Sequence, residues 1–145
     1  METADSTKDP VNQWPEVTIY TDGACQRNPG GPGSWGAVLI FGVHEKEISG
    51  ALDTTTSQRA ELIAMIEALK VLNQRCRVTI YCDSQVTVYC ASGDYNRNGN
   101  LDLWEIFDEL DAPHQVTYKW VRGHNGDPYN QRAHRLAQRA LHPKP

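Results

Sequence analysis

The sequence predicts an α/β fold, a mixed β-sheet covered by helices, with the elements in the order βββαβ and then αβα. Three observations carry that expectation. Residues 17–22 read VTIYTD and residues 78–83 read VTIYCD, so one strand-like hexapeptide ending in aspartate occurs twice. Between the copies the apolar period changes from two to that of a helix, over Ser57–Leu72. A helical crossover of that length returns the second copy parallel to the first.

Met1 to Pro15 is polar and aperiodic and reads as a mobile tail, 1–15, with Trp14 placed to pin its end and the domain occupying 16–142. In the first strand Val17, Ile19 and Thr21 alternate with Thr18, Tyr20 and Asp22. The segment GACQRNPGGPGSWG, 23–36, is rich in turn formers and reads as a connection. AVLIF and a third strand near Lys46–Leu52 then complete an antiparallel meander. On the first helix Leu62, Met65, Ile66, Leu69 and Leu72 recur at three and four, with Asn73 near its end. Val78–Cys82 is the fourth strand. Leu101–Leu110 reads as a helix with Asn100 or Asp102 near its cap, Val116–Val121 as a strand, and Tyr129–Leu141 as a last helix presenting Ala133, Leu136, Ala137 and Ala140.

Composition narrows the function. At 145 residues, with 39% apolar and 22% charged positions, the chain suits one soluble domain, and no apolar run approaches a membrane span. A cytoplasmic monomer is the expectation. A net charge of −4 argues against a general nucleic-acid glue, yet permits a nucleic-acid enzyme whose carboxylates hold metal. Cys25, Cys76, Cys82 and Cys90 show no metal-ligand spacing and read as reduced, mostly buried thiols.

If the two hexapeptides lie side by side and parallel, Asp22 and Asp83 become neighbours at the carboxyl ends of their strands, where open α/β sheets bind ligands. Two carboxylates that close repel unless a proton or a cation neutralises them. Glu61 heads the helical stripe of Met65, Ala68 and Leu72, an expensive place for a charge without a partner. Favourable placement in the first helical turn is the competing account of Glu61. Convergence with Asp22 and Asp83 favours a three-carboxylate site for a hard divalent ion, of the kind that activates water in phosphodiester hydrolysis.

YTDGACQRNPGGPGSWGAVL, TTTSQRAEL, YCDSQ and WVRGHNGDPYNQRAHRLA, taken together over about Val17–Leu141, resemble the type 1 ribonuclease H family. The resemblance implies an α/β, ribonuclease H-like fold, a five-stranded mixed sheet with three antiparallel and then parallel strands, flanked by helices. It implies endonucleolytic hydrolysis of the RNA strand of RNA–DNA hybrids with Mg²⁺ or Mn²⁺, leaving 3′-hydroxyl and 5′-phosphate ends. By motif, Asp22, Glu61 and Asp83 match the family's first three metal ligands. His124 in GHNGDPYN matches its loop histidine, associated with proton transfer or product release. Gly23, Cys25 and Asn28 resemble the loop touching the hybrid backbone and 2′-hydroxyls, Gln58 and Gln85 the minor-groove readers, and Thr56 the threonine gripping a DNA phosphate. Amide groups suit a 2′-hydroxyl, which both donates and accepts. Arg59 reads instead as a tether for the helix start.

The chain departs from the family in two places. The fourth carboxylate is expected in the last helix, but NQRAHRLA places His134 there. An imidazole can still ligate, without negative charge and with a leaning toward Mn²⁺ or Zn²⁺, so His134 is expected to serve as a weak ligand or water-orienting group. The segment ASGDYNRNGN, 91–100, stands where many bacterial relatives carry a longer basic protrusion, and it offers Arg97 against Asp94. Weaker hybrid affinity is expected, offset in part by Arg27, Lys119, Arg122, Arg132 and Arg135. Alternatives are a catalytically weakened hybrid-binding relative and a DNA-acting nuclease of the same fold. The intact three carboxylates speak against the first and the amide pattern against the second.

Overall fold

The computed structural model describes residues 10–123 and 126–142. Its five strands are β1 (Glu16–Cys25), β2 (Gly33–Phe41), β3 (His44–Leu52), β4 (Arg77–Cys82) and β5 (Gln115–Trp120). Its α-helices are α1 (Ser57–Lys70), α2 (Gln85–Ser92), α3 (Leu101–Asp111) and α4 (Pro128–Leu141). The sheet order is β3-β2-β1-β4-β5, antiparallel through β3, β2 and β1 and parallel from β1 through β4 to β5.

The repeated hexapeptides pair as their identity requires. Val17 lies opposite Val78, Ile19 opposite Ile80, Tyr20 opposite Tyr81 and Thr21 opposite Cys82. Because the strands are parallel and in register, alternation sends the matching residues of both to the same face. Val17, Ile19, Val78 and Ile80 join Leu39, Leu62, Met65, Leu69 and Phe107 in the main core, under α1, α2 and α3. Burying each large side chain contributes about 2 kcal/mol relative to leaving it in water. On the other face Tyr20 stacks on Tyr81 at 4.7 Å and on Tyr129 at 5.2 Å, beside Val38, Ala133 and Leu136 beneath α4.

The structure corrects the sequence reading at three places. β1 continues to Cys25 and β2 begins at Gly33, so part of the expected connection is strand. The glycine responsible, Gly36, serves helix packing: a Cβ there would fall 2.7 Å from the Ala133 carbonyl oxygen. Ser34 donates a hydrogen bond to the Ala137 carbonyl, and the two residues seat α4 on β2. The second correction is α2. Its β-branched sequence, QVTVYCAS, masks a helix capped by the Ser84 hydroxyl at Thr87 N and ended by Gly93 at φ 88°. The third concerns Arg97, which pairs with Asp108 at 2.8 Å and lies over Trp104, while Asp94 accepts from Ser92.

Arg59 donates two hydrogen bonds to Asp102, at 3.0 and 2.9 Å, and one to Asn100, tethering the start of α1 to that of α3. Asn100 occupies the N-cap position of α3 without a side-chain cap bond. The described part of the expected tail forms a short 3₁₀ turn at Val11–Gln13, and Trp14 meets the Arg75 guanidinium at 5.8 Å. All four cysteines are free, and three are buried. Among the described residues, no helix is long and apolar enough to cross a membrane.

Candidate active site

β1 and β4 deliver the two aspartates. The in-register pairing ends at Thr21 and Cys82, one residue before Asp22 and Asp83, so both carboxylates leave the sheet together at its carboxyl edge. Asp22 is 3% exposed and Asp83 half-buried. Glu61 arrives from the second turn of α1 and is itself buried. Gly23 permits that approach, since a Cβ on it would lie 2.4 Å from the Glu61 amide nitrogen. Glycine here is a condition of the helix lying close enough for Glu61 to reach the strand ends.

The three carboxyl groups interact directly. The charges of Asp22 and Asp83 both act on Glu61, that of Asp22 acts on Asp83, and ligand atoms of Glu61, Cys82 and Asp83 lie within 4.8 Å of one another. Burial, then the charges of Asp22 and Asp83, push the Glu61 carboxyl well above its ordinary range. Burial, and then Asp22, push Asp83 up to about 6. Acids packed so closely retain protons when no cation is present. The donor set is oxygen-rich, compressed and short of positive charge, which fits a hard divalent ion.

Several neighbours brace the site. The His134 Nδ1 lies 2.8 Å from Asp22 Oδ2, so the residue in place of a fourth acid contacts the first. Cys82 donates from Sγ to Glu61 Oε2 at 3.4 Å and accepts from Ser84 N at 3.4 Å. Burial keeps the Cys82 thiol protonated by raising it well above its usual range. Trp120 donates its indole N–H to the Asp83 carbonyl at 3.2 Å. A Cβ on Gly123 would stand 3.1 Å from Asp83 Oδ2, which sets the loop after β5 against that aspartate. His124, expected in that loop, lies outside the described residues. Asn130, one turn before His134, is buried with its Oδ1 accepting no hydrogen bond from the described residues.

The expected substrate contacts form a second group along the same edge. Asn28 Oδ1 accepts from Ser57 N at 3.0 Å, and Thr56 caps α1 by accepting from Arg59 N at 3.1 Å. The Cys25 sulfur faces the Thr55 and Gly31 carbonyls, and Gly30 and Gly31 exchange backbone hydrogen bonds with Thr55. The loop is thereby fastened to the start of α1. Gln58 and Gln85 are exposed on the first turns of α1 and α2. Arg132 does not belong with the expected cationic contacts. It is held by Glu45 at 2.6 Å and Glu47 at 2.8 Å on β3, so its charge is already matched.

Sequence reasoning did not single out Cys82, Trp120 or Asn130 for a place at the site. Cys82 carried a signal, as the one difference between the hexapeptides; Trp120 and Asn130 sit inside the motifs without periodicity to mark them.

Comparison with known proteins agrees with this geometry. The family model for RNase H matches residues 15–142. A ribonuclease H of Cupriavidus metallidurans is 50% identical over 139 aligned residues, covering 87% of this chain and 95% of that protein. The N-terminal RNase H domain of a Mycobacterium tuberculosis protein superposes with a TM-score of 0.77 at 26% identity, covering 88% and 94% of the two chains. RNase H1 of Halobacterium salinarum gives a TM-score of 0.74 at 27% identity, with 87% and 97% covered. A metal-dependent hydrolase architecture is thus joined to a family assignment: the chain belongs to the ribonuclease H family, the endonucleases that cut the RNA strand of RNA–DNA hybrids with divalent metal ions.

Proposed function

We propose that Asp22, Glu61 and Asp83 are the ligands through which this chain binds Mg²⁺ or Mn²⁺ to hydrolyse the RNA strand of a hybrid, releasing 3′-hydroxyl and 5′-phosphate ends. When bound, such ions supply an activated water and stabilise the leaving oxygen. The supporting observation is the convergence of three acids from β1, α1 and the end of β4, two of them pushed toward protonation by burial and by the charge of Asp22. A cation relieves that repulsion.

The protein's own groups then have distinct parts. Asp22, buried and acting electrostatically on both other acids, holds the centre of the ligand set. His134 fixes Asp22 Oδ2 and offers its ring as a weak ligand or as a hold on water. Gly123 packs against Asp83, and His124, which follows it in sequence, is the residue suited to proton transfer to the leaving oxygen or to help in product release.

The hybrid lies over the start of α1. With Asn28 Oδ1 committed to Ser57 N, its amide hydrogens remain to donate to a 2′-hydroxyl. With its oxygen accepting from Arg59 N, Thr56 can turn its O–H toward a DNA phosphate. Gln58 and Gln85 reach the minor groove from their exposed first turns, and Gly23 and Cys25 line the backbone path between them and the acids. A cytoplasmic monomer is the expected form, to be checked by sedimentation and cell fractionation.

Cleavage of labelled hybrid, duplex DNA and duplex RNA of one sequence, titrated with Mg²⁺ and then Mn²⁺, tests the reading. Metal-dependent scission of the RNA strand of the hybrid supports it. Binding of hybrid without scission would mark a disabled relative, and scission of duplex DNA a different nuclease.

A further inference from the structure

We propose that Cys82 is a positioning residue for Glu61, its thiol fixing Oε2 so that Oε1 is the oxygen left to face the ion. The inference rests on the reading of Glu61 as a metal ligand. It begins with the hexapeptides, which differ at one position, threonine in VTIYTD and cysteine in VTIYCD. These two residues lie opposite each other in the paired strands, directly before the two aspartates. Both are fully buried.

Cys82 stands at the middle of a directed chain of hydrogen bonds. Ser84 N donates to its sulfur at 3.4 Å, and the sulfur donates to Glu61 Oε2 at 3.4 Å. Ser84 is also the N-cap of α2, so the geometry of that cap sets where the sulfur sits. A thiol whose lone pair is engaged on one side has its hydrogen aimed by that engagement. Glu61 has no cationic partner among the described residues, and its remaining neighbours in the site are carboxyl groups. A neutral donor therefore determines the rotation of its carboxyl group. A stronger, charged donor would neutralise the glutamate and compete with the ion; a weak, uncharged one orients it and leaves its charge available.

The test uses the full chain, freed of metal and titrated with Mn²⁺ by calorimetry without nucleic acid, alongside steady-state cleavage. Cys82→Val fills the space and removes the donor, and Cys82→Ala removes both. Cys82→Ser keeps a donor, and Cys82→Thr supplies the residue that β1 carries opposite. The inference predicts Mn²⁺ binding weakened about fivefold in Cys82→Val and Cys82→Ala, the equivalent of one ordinary hydrogen bond. It predicts binding within about twofold of the parent in Cys82→Ser, since a hydroxyl keeps a neutral donor to the same carboxylate oxygen, its stronger bond offset by its shorter reach. In cleavage, kcat at limiting Mn²⁺ falls in Cys82→Val while the KM for hybrid stays unchanged. Thermal melting identifies any variant that fails to fold, and the Ser and Thr variants then carry the comparison.

Undiminished Mn²⁺ binding in Cys82→Val overturns the proposal, as does equal weakening in Cys82→Ser and Cys82→Val, which would assign the effect to sulfur packing. Glu61→Gln separates this failure from that of the underlying reading. If Glu61→Gln binds Mn²⁺ like the parent, Glu61 is not a ligand and both fall; if it loses binding while Cys82→Val keeps it, the positioning role alone falls.

Discussion

Asp22, Glu61 and Asp83 are costly to the folded chain when no metal is bound. Asp83 has its carboxyl raised to about 6 in the fold against an ordinary value near 4, and burial holds the Glu61 carboxyl well above its ordinary range. A group with a raised folded pKa stabilises the fold below its unfolded value and loses that contribution as pH rises through the folded value. The metal-free melting temperature is therefore expected to fall between about pH 4 and pH 6, and Mg²⁺ to restore it above pH 6. A melt series with chelator and with Mg²⁺ checks the sign. Asp22→Asn, Glu61→Gln or Asp83→Asn is expected to cut kcat about a thousandfold or more, matching the several kcal/mol a bound ion supplies. The same substitutions should leave the metal-free fold as stable or more so, because each removes a crowded charge. His134→Asp adds an acid to this group, so metal-free stability should drop and the Mg²⁺ midpoint should shift; an unchanged midpoint and rate would remove His134 from the site. Much of this was legible in the sequence, since two strands of nearly the same sequence, both ending in aspartate, imply adjacent acids once they pair in parallel. The resemblance placed His134 among the acids, but its hydrogen bond to Asp22 in particular was not legible, because the apolar stripe of α4 orients the helix without naming the partner of a side chain at its edge.

At the scale of elements, the tightest fits involve glycine. Gly23 allows α1 to lie against β1, and Gly36 allows α4 to lie against β2. Alanine at either position is expected to cost about 1–3 kcal/mol, because the atoms it meets belong largely to backbone that yields little. Gly23→Ala should also lose activity beyond its loss of stability by pushing Glu61 from the strand ends, whereas Gly36→Ala should move α4 and His134. Melting curves paired with metal titrations distinguish the two. Arg59→Ala unties α1 from α3, and since the pair is partly exposed the expected loss is about 0.5–1 kcal/mol. The same glycines explain where sequence reading of the elements was limited. Gly33 and Gly36 look like turn residues among prolines, although each occupies a strand where another segment comes close. α2 was missed because Val86, Thr87 and Val88 favour a strand locally, and Ser84 and Gly93 declare a helix only as a capped pair.

For the whole molecule, the sheet order places every candidate ligand along the carboxyl edge of β1 and β4, with the amide-bearing starts of α1 and α2 beside it. The charge available to grip a nucleic acid is limited. Arg132 is bound by Glu45 and Glu47, Arg97 by Asp108 and Arg59 by Asp102, leaving Arg27, Lys119, Arg122 and Arg135 as the expected contacts. Four phosphate contacts predict a slope of log affinity against log salt no steeper than about −4. Arg132→Ala should leave that slope unaltered while lowering stability, which hybrid binding from 50 to 200 mM salt would reveal. Hydrolysis as proposed requires β1, α1 and β4 to meet at one ion. Crystals grown with Mn²⁺ and measured at the manganese absorption edge examine that meeting most directly. The expected map carries an anomalous peak about 2.0–2.5 Å from carboxylate oxygens of Asp22, Glu61 and Asp83 together. Manganese bound elsewhere in crystals of a protein that cleaves hybrid, with these three side chains left uncoordinated, would contradict it.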